Sequence, residues 1–351
     1  MNNTHNQRCP FLDSFADSST IVSETKKKHL MNTIVSLSTG GLGIIAQLAC
    51  VRTLWPHLKQ TTRFAGCSSG ALVALALAMK MPPCELRRLE DTLNSSHLLS
   101  LEPWYTSWRP WWRLLFSFGM YRTDTLRATL FSMLAQYDMD AMTTFRDVQT
   151  QTGNELVVAV MNLSKQRPVL LSVCATPGMS IVDAVLASAC VPLLLIPITA
   201  RTQITDIRDG MSLISPGDLL CDGGFAFHNP EEQLDGHFSS RPERTLSINT
   251  RTIEDVAYET RNSLPLPTTI TPFIQLLMQA HLGVLTSFSD QLLACKQDRV
   301  YTAHLDIPAS IQSPWSLLTL EQRLLLQQAG LRGAHTILED HLLHTVVTDS
   351  S

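Results

Sequence analysis

Thr62-Arg63-Phe64-Ala65-Gly66-Cys67-Ser68-Ser69-Gly70 leads from a β-like run into Ala71–Met79, a strong helix former that ends before a pair of prolines. Gly66, Ser68 and Gly70 form a G-x-S-x-G pattern, in which a serine lies on a sharp turn between a strand and a helix. Such a turn brings the residues two before and two after the serine close together, and glycine at both positions leaves room for this. The pattern predicts that Ser68 is a nucleophile, and a glycine-flanked surface turn is the alternative.

The composition of the chain is that of a globular protein with a sizeable core. Of its 351 residues, 44% are hydrophobic and 17% are charged. The net charge of −4 gives no indication of nucleic-acid binding. The eight cysteines are too far apart for the C-x-x-C spacing of zinc or redox sites. They are expected to be buried free thiols, with a secreted protein that contains some disulfides as the alternative.

The ends of the sequence and its longest apolar stretch bear on localisation. Residues 1–30 are polar and lack the apolar segment of a signal peptide, and we expect them to form a flexible N-terminal leader. The apolar stretch Ile181–Ile198 is interrupted by an aspartate and two prolines, which predicts a helix and then a strand rather than a membrane span. We expect a cytoplasmic or peripheral membrane protein with a single domain over 31–346 and a short tail over 347–351.

Strand-like and helix-like patterns alternate along the chain. Strands are predicted over Thr33–Leu37, Thr62–Ala65, Leu156–Val160, Val169–Val173, Leu246–Ile248 and Val300–Ile307, and helices over Ile44–Trp55, Ala71–Met79, Asp124–Gln136, Val182–Ala189, Phe273–Leu293 and Leu320–Leu343. Thr123 is expected to cap the third of these helices, and Glu259–Thr269 to form a long loop. The alternation predicts an α/β fold, a three-layer sandwich with a mostly parallel central sheet flanked by helices on both faces.

A glycine turn formed by Gly40, Gly41 and Gly43 lies between the first predicted strand and the first predicted helix. A serine nucleophile needs amide donors for its oxyanion, and the backbone of this turn can approach a ligand closely. The N-terminus of the following helix favours negative charge. A phosphate-binding turn or a plain tight turn would have the same sequence.

Asp222 is the candidate base for Ser68. It ends an apolar run and is followed by Gly223 and Gly224, so that its carboxylate can point into a cleft with little steric hindrance. An Asp-Gly hairpin turn is the alternative explanation of these residues.

Taken together, these segments resemble the patatin-like phospholipase family, whose layout is a glycine turn, then G-x-S-x-G after one helix, then D-G-G. The resemblance covers roughly Thr33 to Asn249, with a weaker match from Arg299 to His341. The further segments that are similar to the family are Gly119–Arg127, Thr144–Asp147, Thr152–Leu156, Asn162–Ser164 and Ala187-Ser188-Ala189-Cys190-Val191-Pro192.

The resemblance implies a Ser-Asp dyad without histidine. Ser68 would be the acyl nucleophile, and Asp222 would accept its proton and later activate water. The turn at Gly40 and Gly41, with the amide of Ser69, would hold the oxyanion. The implied reaction is hydrolysis of phospholipids, lysophospholipids or acylglycerols through an acyl-enzyme, with no metal and no cofactor. Some family members depend on an accessory protein, so a protein activator is an open expectation for this chain.

The sequence departs from the family in the glycine turn, which usually reads G-G-G-x-R/K-G. Here Ser38 and Thr39 replace the first two glycines, and Leu42 replaces the basic residue. Because the donors are backbone amides, the replaced side chains need not abolish the oxyanion hole, although they could strain it.

Four of the six tryptophans, Trp104, Trp108, Trp111 and Trp112, lie in one short segment that also contains arginines. A helix is expected to start near Pro110. Tryptophan beside arginine suits a membrane interface, and a cap packed over an acyl groove is the alternative.

Two other functions are compatible with these residues. One is a serine esterase of soluble esters with a Ser-His-Asp triad, for which His228, His237, His281 and His304 are the downstream histidines, none of them in a recognisable signature. The other is a catalytically silent lipid-binding protein on the same fold, suggested by the altered glycine turn.

Overall fold

The computed structural model describes residues 33–93, 108–239, 244–252, 300–308, 311 and 318–348. Some predictions fall outside these residues, namely the leader over 1–30, the loop over Glu259–Thr269, the helix over Phe273–Leu293, the placement of Trp104 and His281, and residues 349–351 of the tail.

Twelve strands and eight α-helices are found in the described residues. The strands are β1 (Thr33–Leu37), β2 (Arg63–Cys67), β3 (Gly119–Tyr121), β4 (Glu155–Asn162), β5 (Arg167–Ser172), β6 (Leu193–Leu195), β7 (Ile198–Thr199), β8 (Ile204–Thr205), β9 (Ser212–Ile214), β10 (Leu219–Asp222), β11 (Arg244–Thr252) and β12 (Val300–Ile307). The helices are α1 (Ile44–Leu58), α2 (Ser69–Ala78), α3 (Pro83–Leu93), α4 (Arg109–Ser117), α5 (Asp124–Ala135), α6 (Phe145–Thr152), α7 (Ile181–Ala189) and α8 (Leu320–Thr348).

The central sheet has eight strands, seven of them in the order β12-β11-β1-β2-β4-β10-β7, and β5 also pairs with β4. The five strands from β12 to β4 run parallel. β5, β10 and β7 are joined to the sheet by antiparallel pairing. The sheet is therefore mixed and mostly parallel, which confirms the predicted α/β fold class.

The side chains of the central strands alternate between two apolar layers, as they must in an extended chain. In β1, Val35 and Leu37 enter the larger core, which also contains buried residues of α1, α2, α5, α7 and α8. Ile34 faces the opposite side, where it packs in a smaller cluster with Phe227 and Phe238 from the segment that follows β10. The long helices that the structure describes thus pack mainly on one face of the sheet.

Two local predictions differ from the structure. Thr123 occupies the N-cap position of α5, but with φ −93° and ψ 7° its side chain makes no capping hydrogen bond. The sequence predicts no helix after the pair of prolines that follows α2. In the structure α3 begins at Pro83, since proline is tolerated in the first turn of a helix. In contrast, Thr144 caps α6 through a reciprocal capping box with Asp147.

The six cysteines in the described residues are free thiols, as expected. Four of them are buried, but Cys84 is exposed and Cys174 is half-buried, so the expectation of uniformly buried thiols is wrong.

Candidate active site

Ser68 lies on a strained turn between β2 and α2. Its φ of 55° and ψ of −124° place it in a backbone conformation that residues other than glycine rarely adopt. A Cβ atom at Gly66 would lie 2.3 Å from the carbonyl oxygen of Gly70, and one at Gly70 would lie 2.4 Å from that of Leu37. Both glycines are therefore required by the close backbone packing of the turn.

The strand β4 brings Asp222 to Ser68. Parallel β2 pairs with β4 up to Cys67, opposite Ala159. Antiparallel β10 pairs with β4 up to Asp222, opposite Val160, while β5 occupies the other side of β4 there. Since β2 and β10 lie on the same side of β4 and run towards each other, their ends meet. Ser68 follows one end and Asp222 forms the other.

Ser68 and Asp222 are in direct hydrogen-bond contact. Ser68 Oγ donates to Asp222 Oδ2 at 2.6 Å, and the backbone N–H of Gly224 donates to Asp222 Oδ1 at 2.6 Å. Ser68 and Asp222 are both buried. Burial raises the pKa of Asp222 to about 7, against the opposing effect of its two hydrogen-bond donors. A carboxylate with this pKa is suited to accept and return a proton near neutral pH.

The C-terminal end of α7 and the residue after it hold the backbone of both members of this pair. The backbone N–H of Ser68 donates to Ser188 Oγ at 2.9 Å, and Ser188 Oγ donates to the carbonyl oxygen of Ala159 at 2.6 Å. The backbone N–H of Asp222 donates to the carbonyl oxygen of Cys190 at 2.9 Å. In the sequence Ser188 is only part of a segment similar to the family, and no sequence pattern indicates a partner for its hydroxyl.

The glycine turn lies against this pair. Gly41 has a φ of 51° and is exposed, and the N-terminal amide of Ser69 has no intrahelical acceptor because α2 begins there. A Cβ atom at Gly224 would lie 2.9 Å from Thr39 Oγ1, which puts the turn beside the Asp222 loop. A Cβ atom at Gly70 would lie 2.5 Å from the carbonyl oxygen of Ser38, so the turn also borders the start of α2.

The two residues that replace family glycines are built into a buried polar network. Ser38 Oγ accepts a hydrogen bond from the backbone N–H of Thr250 at 2.9 Å, and Thr250 Oγ1 donates to the carbonyl oxygen of Thr39 at 2.5 Å. A Cβ atom at Gly40 would lie 2.6 Å from Thr250 Oγ1, and one at Gly43 would lie 2.5 Å from Ile307. The turn therefore rests on β11 and β12. Of its two replaced residues, Ser38 is bonded through its side chain and Thr39 through its backbone carbonyl.

A second set of buried side chains continues this network below the turn. Asn229 Nδ2 donates to Ser247 Oγ at 2.9 Å and to Asn249 Oδ1 at 2.7 Å, and Ser36 Oγ donates to Asn229 Oδ1. The network joins β1, β11 and the loop after Asp222. Its members are far apart in the sequence, so no sequence pattern predicts the network.

Ser68 bonds directly to Asp222, without one of the downstream histidines between them. His237 Nδ1 lies 3.3 Å from Ser172 Oγ, and burial lowers the pKa of His237 to about 4. The carbonyl oxygen of buried His228 accepts a hydrogen bond from the backbone N–H of Thr39. His304 lies in β12, and His281 is outside the described residues.

The tryptophans that the structure describes do not share one surface. Trp111 is half-buried against Met120, Tyr121 and Cys190, whereas Trp108 and Trp112 are exposed. A helix does begin near Pro110, as predicted. Among the described residues, no helix is long and apolar enough to cross a membrane.

No group of three or more His, Cys, Asp or Glu side chains is placed to hold a metal ion in the part of the chain that the structure describes.

Comparison with known proteins points to one family. A family model for patatin-like phospholipase matches residues 35–235. A patatin-like phospholipase domain-containing protein of Aspergillus terreus is 30% identical over 238 residues, which are 65% of this chain and 32% of that protein. The chain therefore spans about a third of the length of this fungal relative.

Two further similar proteins are more distant. An uncharacterized protein of Acanthamoeba polyphaga mimivirus is 24% identical over 230 residues, which are 63% of this chain and 72% of that protein. VipD from Legionella pneumophila is 15% identical, with 88% of this chain and 67% of that chain covered at a TM-score of 0.49.

Proposed function

Because this chain belongs to the patatin-like phospholipase family, we propose that it is a lipid acyl hydrolase that cleaves the fatty-acyl esters of phospholipids or lysophospholipids with Ser68 and Asp222. The observation that carries the proposal is the 2.6 Å hydrogen bond from Ser68 Oγ to Asp222 Oδ2, made by a serine on a strained strand-to-helix turn. A serine hydroxyl needs a base within this distance to act as a nucleophile, and Asp222 meets that condition.

In the first half of the reaction Ser68 is acylated. Ser68 Oγ attacks the ester carbonyl carbon while its proton passes to Asp222 Oδ2. The oxyanion that forms accepts hydrogen bonds from the amides of Gly40, Gly41 and Ser69. When the tetrahedral intermediate collapses, the bond from the acyl carbon to the alcohol oxygen breaks. The alcohol leaves with the proton that Asp222 held, and the acyl group stays on Ser68.

In the second half water replaces the alcohol. Asp222, again ionised, accepts a proton from the water that attacks the acyl carbon. The second tetrahedral intermediate is held by the same amides, and its collapse breaks the bond to Ser68 Oγ. Ser68 takes back the proton from Asp222, and the fatty acid is released. One ester and one water give one alcohol and one acid, so the protein is regenerated unchanged.

The polar network below the turn supports this proposal against a silent site. Ser38 and Thr39 could have closed the oxyanion turn, but Ser38 is buried and bonded to Thr250, away from the exposed side of Gly41. The donors of the turn are backbone groups, and they are not consumed by the two replaced side chains.

The test is fatty-acid release from mixed phospholipid vesicles by the wild type and four variants. Ser68→Ala and Asp222→Asn remove the proposed nucleophile and base, and each should lower release by on the order of a thousandfold. His228→Ala removes the buried histidine that is a candidate for the alternative triad, and it should leave release intact. Asp206→Asn is the matched control, because Asp206 is also a buried aspartate but is bonded to Arg208.

The outcomes separate the three functions. Loss with His228→Ala, while Asp222→Asn stays active, would favour a triad esterase. If the wild type releases nothing, a fluorophosphonate probe decides the matter. An unlabelled Ser68 would indicate a silent lipid-binding protein, and labelling at Ser68 that Asp222→Asn abolishes would retain the proposed pair and indicate a missing activator or a different ester.

A further inference from the structure

The exposed large apolar side chains of this protein are concentrated on one helix. In the described residues, thirteen large hydrophobic side chains are exposed, and five of them lie between residues 108 and 118. These five are Trp108, Trp112, Leu115, Phe116 and Phe118, each at least 57% exposed. A cluster of this kind on a globular protein marks an interaction surface rather than a packing defect.

The exposed residues form an ordered ridge along α4. Trp108, Trp112 and Phe116 follow one another at a spacing of four residues, which places them on one face of the helix. The ring centroids of Trp108 and Trp112 are 6.2 Å apart, and those of Trp112 and Phe116 are 4.6 Å apart. The rings therefore hold each other in place before any partner arrives.

The opposite face of α4 fixes the helix to the body of the protein. Trp111 and Leu114 pack on a buried cluster that contains Tyr121, Cys190 and Leu195. Strand β3, directly after α4, pairs with β6, and a Cβ atom at Gly119 would lie 2.4 Å from the backbone of Leu195. The ridge is thus carried on a firmly packed helix, and its exposure is a stable property of the fold.

The charge of α4 indicates which partner the ridge fits. The helix has the sequence RPWWRLLFS, with two arginines and no acidic residue, in a chain whose net charge is −4. Tryptophan and phenylalanine on one face with arginine beside them suit the headgroup region of an anionic bilayer. A symmetric contact between two copies would instead bring the arginines of both helices together, which costs affinity.

We propose that the ridge of Trp108, Trp112, Leu115 and Phe116 docks in the interface of a bilayer that contains anionic lipid. The helix lies on the membrane and does not cross it, since its nine residues are about 13 Å long and a hydrocarbon core is about 30 Å thick. This proposal rests on the proposed lipid hydrolysis, which gives the protein a reason to bind a membrane. Membrane binding itself can be measured without catalysis.

The cluster beneath α4 is linked to the residues of the proposed catalytic pair. Cys190, which packs under Trp111, accepts the backbone hydrogen bond of Asp222, and Ser188 accepts that of Ser68. The ridge therefore sits on the same packed segment that fixes the nucleophile and the base.

The test is co-sedimentation of the full chain, carrying Ser68→Ala so that no lipid is consumed, with vesicles of phosphatidylcholine alone or mixed with phosphatidylserine. We expect binding to the mixed vesicles and a blue shift of tryptophan emission. Trp112→Ser with Phe116→Ser should weaken this binding about tenfold or more, because it removes two large apolar rings from the interface. Arg109→Glu with Arg113→Glu should remove the preference for phosphatidylserine.

A matched control removes equally exposed apolar side chains elsewhere, by Met142→Ser with Leu320→Ser. The proposal is overturned if the control weakens binding as much as the ridge variant, or if the ridge variant binds like its parent. It is also overturned if sedimentation velocity shows a dimer that the ridge variant dissociates, since the ridge would then contact a second copy. Failure of lipid hydrolysis in the wild-type protein, with vesicle binding intact, would contradict the proposed function alone.

Discussion

Ser188 links the backbone of Ser68 to β4. Its hydroxyl accepts a hydrogen bond from the Ser68 N–H at 2.9 Å and donates one to the Ala159 carbonyl at 2.6 Å. All three groups are buried, so the hydroxyl has no water to replace it. The backbone of the proposed nucleophile is therefore tied to β4, the strand that also pairs with the end of β10 at Asp222, the proposed base.

Ser188→Ala should lower both stability and activity. It leaves a buried donor and a buried acceptor without partners, which costs about 1–3 kcal/mol. Released from this bond, Ser68 should relax from its strained conformation, and we expect kcat to fall about tenfold or more with little change in KM. Urea unfolding and fatty-acid release measure the two effects. Unchanged kcat in a destabilised variant would show that Ser188 supports the fold without positioning the serine.

The activity should depend on the ionisation of Asp222. In the proposed mechanism the carboxylate form of Asp222 accepts the serine proton, and burial raises the pKa of this group to about 7. We therefore expect kcat/KM to rise with pH and to reach half its plateau near this pKa. A pH profile on a soluble ester, where vesicle charge has no influence, measures this. A profile that is flat from about pH 5 to about pH 8 would contradict the assignment of Asp222 as the base.

Asp222→Asn should stabilise the protein at alkaline pH. Because the folded-state pKa is raised from 3.8 to about 7, the stability that the neutral carboxyl confers is complete below pH 3.8 and is lost as the pH rises to about 7. This change of the Asp222 pKa from 3.8 to about 7 corresponds to up to about 4 kcal/mol. Unfolding midpoints at about pH 4 and about pH 8 should show a gain for the variant only at the higher value.

Asp206→Asn provides the control of opposite sign for that measurement. Its hydrogen bonds with Arg208 lower the pKa of Asp206, so its contribution is present at neutral pH and is lost in acid. The variant should be less stable than the wild type at about pH 8, and the difference should shrink in acid. A parallel response of the two variants would show that burial of Asp222 does not carry the effect.

Gly66→Ala should disrupt the turn of the nucleophile. The added methyl would lie 2.3 Å from the Gly70 carbonyl oxygen and 2.7 Å from Ala71 Cα, and both are backbone atoms that cannot move alone. We expect a loss of about 1–3 kcal/mol or more and no detectable labelling of Ser68. Gly178→Ala is the control, since no atom lies within 4 Å of its added methyl. Equal stability of the two variants would contradict the tight packing of the turn.

Thr250→Val should impair the oxyanion turn while keeping the shape of the side chain. It removes the hydroxyl that donates to the Thr39 carbonyl next to Gly40. We expect a fall in kcat of about tenfold, because the amide donors lose part of their support. Thr302→Val on the neighbouring strand β12 is the control and should keep full activity. Equal activity of the two variants would separate the network from catalysis.

The parts of this structure that the sequence predicts are those that depend on neighbouring residues. The bounds of β1 and β12 are confirmed, because short apolar runs between polar residues mark buried strands. The turn at Ser68 was predicted for the same reason, since two glycines and a following helix specify it locally. The residues around Asp222 fit both a base and a hairpin turn, and the family resemblance favours the base.

The parts that the sequence does not predict depend on residues from different strands. No local pattern gives the direction of β10 or its meeting with β2 on β4. The partners of Ser188 and Thr250 lie in other elements, so their hydroxyls are indistinguishable from ordinary polar groups in the sequence. Thr123 shows the converse error, because a residue type suited to capping does not determine the backbone angles that a cap needs.

The meeting of β2 and β10 on β4 has a consequence for how this protein can vary. Ser68 and Asp222 are 154 positions apart, yet their distance is set by neighbouring residues, Ala159 and Val160, on a single strand. The segments between the strands can therefore lengthen, shorten or be exchanged without moving the reacting atoms. A single deletion within β4 would shift one partner strand against the other and turn its side chains to the wrong face. The connecting segments can therefore change, and with them the surroundings of the site, while β4 keeps the proposed nucleophile and base in contact.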